Sequence, residues 1–172
     1  IGMIGFTYSF FVAEISSGSG EITGEVATPE LNITVQKVAP VSPNNNKKLI
    51  PQLDSAITKA VVGTQGKCVD DNTNAVCQVY KITLKNVSAS SINVDGVVEL
   101  NNGNNPNLKW ARISGDGTNS VEPTVIDGIK EAEQTSLTVN ELYTKGETKE
   151  YYIVIWISET GYAQMDKGTF TG

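Results

Sequence analysis

From Cys77 onward the chain runs in short stretches of alternating apolar and polar residues broken by turns, and that rhythm limits what it can fold into. CQVYKITLKN sets Tyr80, Ile82 and Leu84 against Val79, Lys81, Thr83 and Lys85. LKWARIS sets Leu108, Trp110 and Arg112 against Lys109, Ala111 and Ile113. Residues two apart share one face of a strand, so each run predicts a strand with one face in a core. SSINVDGVVEL, TVIDGIK and TSLTVNEL continue the series, with NNGNNPN and GDGTNS as turns between them. ETKEYYIVIWISE is apolar at successive positions through its centre, as in a strand buried on both faces. Upstream, EITGEVA is a shorter strand, and LNITVQKVA alternates Leu31, Ile33 and Val35 with Asn32, Thr34 and Gln36.

Short strands between Gly- and Asn-rich turns predict an all-β fold, a jelly-roll-like β-sandwich. One short helix is expected, in LIPQLDSAITKAVVG. There Ile50, Leu53, Ile57 and Val61 follow helical spacing, Pro51 lies near the start, and Gly63 is a stop.

At 172 residues the chain fits one domain with a single core. Its formal charge of −6 gives no basic footprint for nucleic acid or an anionic membrane. The absence of histidine removes the usual general base and the Ser/His and Cys/His nucleophile pairs. With two cysteines, a tetrahedral Cys/His zinc site within one chain is also out. The carboxylate pairs Asp95/Glu99 and Glu122/Asp127 have no spacing that sets a hydrolytic separation. No Gly-rich phosphate loop joins a strand to a helix. The expectation is therefore no enzyme, no metal and no cofactor.

Two loops carry oxygen ligands of the kind calcium takes: Asp70, Asp71, Asn72 and Asn74 in CVDDNTNAVC, and Asp116 and Asn119 in ISGDGTNS. DDNTN lacks the spacing and closing Glu of an EF-hand loop, so the reading is solvated turns. Cys68 and Cys77 flank that turn. A hairpin there brings the sulfurs together, predicting a disulfide worth about 2–3 kcal/mol and an extracytoplasmic location; two free thiols are the alternative. Asn32 and Asn86 each begin an N-glycosylation sequon. Trp156 and Trp110 are read as core, with a sugar-stacking platform as the competing role for Trp110.

The first residues, IGMIGFTYSFFVAEIS, hold three of the four phenylalanines and no charge before Glu14. Ile4, Phe6, Tyr8, Phe10 and Val12 alternate with mostly small residues, a period-two pattern with one apolar face. Ile1, Ile4, Tyr8, Phe11 and Ile15 form a rival helical stripe, weakened by Gly2, Gly5, Thr7 and Ser9. The uncharged run is shorter than the roughly 20 residues a bilayer span needs, so no stable membrane span is expected. Burying five such side chains is worth at most about 8–15 kcal/mol.

SSGSG behind the stretch reads as a flexible joint. The organisation expected is a donor strand over 1–15, a joint over 16–20 and a sandwich domain over 21–172. Ile4, Phe6, Tyr8, Phe10 and Val12 are expected to enter a groove of a neighbouring copy, beside apolar strands such as 151–157. The competing reading is an ordinary first strand that pairs within its own domain.

GFTYSFF resembles the boundary motif of proteins exported with a SipW-dependent signal, where an apolar run ends in a small residue followed by aromatics. YKITLKNVSASSINVDGVVEL resembles the strand pair of the TasA and camelysin family, in which an aromatic-led strand ends in Asn and small residues. LYTKGETKEYYIVIWISETG is similar to that family's turn into a long apolar strand. With DKGTFTG these segments cover perhaps half of the chain.

The resemblance implies a secreted, extracellular β-sandwich that forms biofilm-matrix fibres, related to archaeal bundling pili, whose subunits pass an N-terminal strand to the next copy. It places signal cleavage after Ser9 and the mature start at Phe10. Residues 1–9 are then either signal remnant or an extension of the donor strand. Two other functions stay open. One is a type IV pilin-like subunit with a helical N-terminus; the other is a monomeric cell-surface module binding carbohydrate or another ligand.

Overall fold

The computed structural model describes residues 8–15, 22–26, 30–44, 49–62, 68–99, 107–113, 126–131 and 135–159. In chain order the elements are β1 (Tyr8–Ile15), β2 (Ile22–Val26), β3 (Leu31–Ala39), α1 (Asp54–Val62), β4 (Cys77–Asn86), β5 (Ile92–Glu99), β6 (Leu108–Ile113), β7 (Ile126–Glu131), β8 (Thr135–Tyr143) and β9 (Thr148–Ile157). The strands form a four-stranded sheet, β2-β1-β5-β8, and a five-stranded sheet, β3-β4-β9-β6-β7. The all-β sandwich with one short helix is the fold the alternation predicts.

The sandwich interior follows from the period-two patterns. Tyr80, Ile82 and Leu84 of β4, Leu108 and Trp110 of β6, and Ile153 and Ile155 of β9 face the other sheet. Ile92, Val94 and Val98 of β5, with Leu137 and Tyr143 of β8, meet them there. Trp110 is 1% exposed, so its ring is core and offers no face to a sugar. Its indole N–H is buried without a hydrogen-bond partner among the described residues.

The five-stranded sheet is also covered on its outer face. Val79, Ala111, Val154 and Trp156 pack there against Ile57 and Val61 of α1 and against the Cys68–Cys77 hairpin. This second layer explains why YYIVIWI is apolar at successive positions: alternate residues enter two different cores.

α1 starts later than the sequence spacing suggests. Ile50 N–H donates to the Ala75 carbonyl at 2.9 Å and Gln52 N–H to the Ile157 carbonyl at 2.9 Å. These groups pair with the cysteine hairpin and the end of β9 instead of opening a helix, and Leu53, expected on the helix's apolar stripe, is 55% exposed. Asp54 then fixes the first turn to the sheet. One carboxylate oxygen accepts from the Trp156 indole at 2.9 Å and the Ser158 hydroxyl at 2.6 Å; the other accepts from Lys109 Nζ at 3.0 Å. Burial alone would raise this carboxyl, but hydrogen bonds from Ser158, Trp156 and Lys109 outweigh it and hold the group below its ordinary value.

Candidate functional site

The stretch that opened as the most apolar of the chain is a strand at 8–15, and its neighbours define the candidate site. β1 lies between β5 and β2 in the four-stranded sheet. With β2 it pairs antiparallel, from Phe11 opposite Val26 to Ile15 opposite Ile22. With β5 it pairs parallel, unbroken from Tyr8 opposite Asn93 to Glu14 opposite Glu99. Every other ladder between described strands is antiparallel.

The strand at 151–157, part of β9, has β4 on one side and β6 on the other. On β5, Val94, Gly96 and Val98 hold the buried positions. Their partners are Ser9, Phe11 and Ala13. Tyr8, Phe10 and Val12 stand opposite Asn93, Asp95 and Val97, which are positions of the outer face. Ile4, Phe6 and the joint at 16–20 lie outside the described residues.

On its far side β5 is held by β8. The ladder there shifts on both sides of Gly96. At this break, Asp95 Oδ1 accepts the Asn140 N–H at 2.6 Å. Asn140 has φ 48°, a left-handed conformation that Asn tolerates better than most residues.

β8 is tied in turn to the opposite sheet. The hydroxyls of Tyr143 on β8 and Tyr151 on β9 lie 2.6 Å apart, and Tyr151 donates to Glu141 Oε2 at 2.6 Å. Lys149 Nζ donates to Glu141 Oε1 at 2.8 Å, and the Thr138 hydroxyl also donates to this carboxylate. Burial opposes the charge on Glu141, but hydrogen bonds from Lys149, Thr138 and Tyr151 outweigh it and bring the carboxyl down to about 2. Burial and the bond to Glu141 push Tyr151 up to about 12. Burial, with the bond to Tyr151, also raises Tyr143, so both phenols stay protonated and the group acts as a clamp between sheets.

Asn86 is a second clamp. Its Nδ2 donates to the carbonyls of Ser90 at 2.8 Å, Thr144 at 3.0 Å and Tyr143 at 3.2 Å. Its Oδ1 accepts the Ser88 N–H at 2.9 Å, and its own N–H donates to the Glu147 carbonyl at 2.9 Å. One buried amide thus joins the β4–β5 crossover to the turn between β8 and β9, where Gly146 has φ 76°. The two sequence segments that carried the family resemblance meet here. Asn86 spells a sequon, yet its nitrogen is enclosed and committed, so the folded chain does not present it for glycosylation. Asn32 of the other sequon is exposed on β3.

Cys68 and Cys77 form the disulfide. The turn between them is built around Asp70. Its Oδ1 accepts the N–H groups of Asn72 at 2.9 Å and Asn74 at 2.8 Å, and its Oδ2 the side-chain amide of Asn74 at 3.1 Å. Asp70 is thereby committed to its own turn; Asp116 and Asn119 lie outside the described residues. Among the described residues no helix is long and apolar enough to cross a membrane. Comparison with protein-family models, curated proteins and solved structures finds no match for this chain.

Proposed function

We propose that the protein is a structural subunit of an extracellular filament of the biofilm-matrix type, not an enzyme. It polymerises with copies of itself by passing β1 into the four-stranded sheet of the adjacent subunit. The parallel ladder between β1 and β5 supports this reading most. That ladder joins segments far apart in the chain through main-chain bonds, so β1 of another copy can make the same pairs. Exchange of an identical element between protomers creates contacts at little conformational cost. Residues 16–21 reach at most about 20 Å when extended, roughly four strand spacings. The disulfide is compatible with secretion into an oxidising environment.

A second reading has one observation in its favour: within a single chain, β1 already fills the slot in its own sheet. The protein would then be a monomeric surface module. Electron microscopy of the full chain beside a chain beginning at Ser16 separates the two. Filaments from the full chain alone are the expected result, and a synthetic peptide of residues 8–15 should arrest their growth. Equal polymerisation of the shortened chain refutes strand donation.

A further inference from the structure

Resting on that reading, the structure assigns the register of the donated strand to one pair of positions. We infer that Gly96 of the receiving subunit is the keyhole and Phe11 of the incoming strand the key. Along the inward face of β5 the residues are Ile92, Val94, Gly96 and Val98. Three are large aliphatic residues in the core, and the fourth has no side chain. Glycine weakens a strand interior, and its place there often marks the close approach of another group. The partner of Gly96 on β1 is Phe11, between Ser9 opposite Val94 and Ala13 opposite Val98. By residue type, a large residue thus stands at the register position of the glycine and small residues at those of the valines, along three alternate pairs of the ladder. An aromatic residue across from a glycine is a known way of compensating the glycine's loss of packing in a sheet.

The two ladders of β5 point the same way. Against β8 the pairing shifts on both sides of Gly96, while against β1 it runs unbroken through it. β5 is therefore regular toward the strand it receives and irregular toward its permanent neighbour. A slip of two residues would keep the same face inward but put Ser9 or Ala13 at the gap and Phe11 against Val94 or Val98. That crowding and that void are the penalty that holds the register.

The test is cysteine pairing in the full chain, with Cys68 and Cys77 left bonded to each other. Phe11→Cys/Gly96→Cys should cross-link under mild oxidation, whereas Ser9→Cys/Gly96→Cys and Ala13→Cys/Gly96→Cys should not. Covalent multimers on non-reducing gels support both the register and donation between subunits. A cross-linked monomer supports the register and overturns donation. Absence of the 11–96 cross-link overturns the register, whatever the other pairs do. In parallel, Gly96→Val should lower filament yield at least tenfold, and adding Phe11→Ala should restore most of it. Wild-type yield from Gly96→Val alone also overturns the inference.

Discussion

β9 and β1 each carry a run of apolar residues into the middle of a sheet, but they are anchored differently. β9 has antiparallel neighbours on both sides and feeds two cores, one in the sandwich and one under α1. Its ends are tied by the Asp54 cluster and by the tyrosine and Asn86 clamps. β1 has one antiparallel and one parallel neighbour. Parallel pairing is slightly weaker per residue, which makes β1 the easier of the two to exchange. A sheet can thus combine a permanent frame with a replaceable strand, provided the frame is stable without it.

The comparison breaks most clearly at Trp156. Trp156→Ala removes a large side chain from the outer core and the indole donor from Asp54, and should destabilise the folded monomer by about 3–5 kcal/mol in denaturant titration. Filaments should disappear with it, whereas changes confined to the β1 slot should lose filaments while the near-ultraviolet circular dichroism of the five-stranded frame is kept. Asn86→Ala should come next, at about 3 kcal/mol, because it strips buried carbonyls of their donor at two crossovers. Asn86→Asp should fare little better, since a carboxylate cannot donate to those carbonyls; near-wild-type melting of either variant would remove the clamp from the account.

Replacing Cys68 and Cys77 with Ser should cost about 2–3 kcal/mol. It acts on the hairpin over the frame and should leave the 11–96 register unchanged when scored by cross-linking. The smallest effect is acid sensitivity. Glu141 lies at about 2 in the folded chain against an ordinary 4.5. Its contribution is fully present above about pH 4.5 and is lost as pH falls toward 2. With the side chain about a third exposed, solvent screening leaves on the order of 1–2 kcal/mol. Glu141→Gln should flatten the fall in melting temperature across that window.

Much of the frame was legible because it is local. The faces of β4 and β6, the core placement of both tryptophans, the doubly buried β9 and the Cys68–Cys77 pairing all follow from spacing along one segment. The start of α1 was misjudged because Ile50 and Gln52 find backbone partners on Ala75 and Ile157, which helical periodicity does not register. The bonding of the Asn86 side chain was not legible, because two of its three acceptors, Tyr143 and Thr144, lie far along the chain.

The candidate site divides along the same line. Alternation in YSFFVA favoured a strand over the rival helical stripe of Ile1, Ile4, Tyr8, Phe11 and Ile15, since residues two apart share one side of a strand. Which residues it pairs with was decided only by tertiary structure: the ladder sets Phe10 opposite Asp95 and Phe11 opposite Gly96. The physical reason is that a register depends on the partner strand as much as on the strand itself. Gly96 belongs to a different strand, so the sequence of β1 holds no record of it.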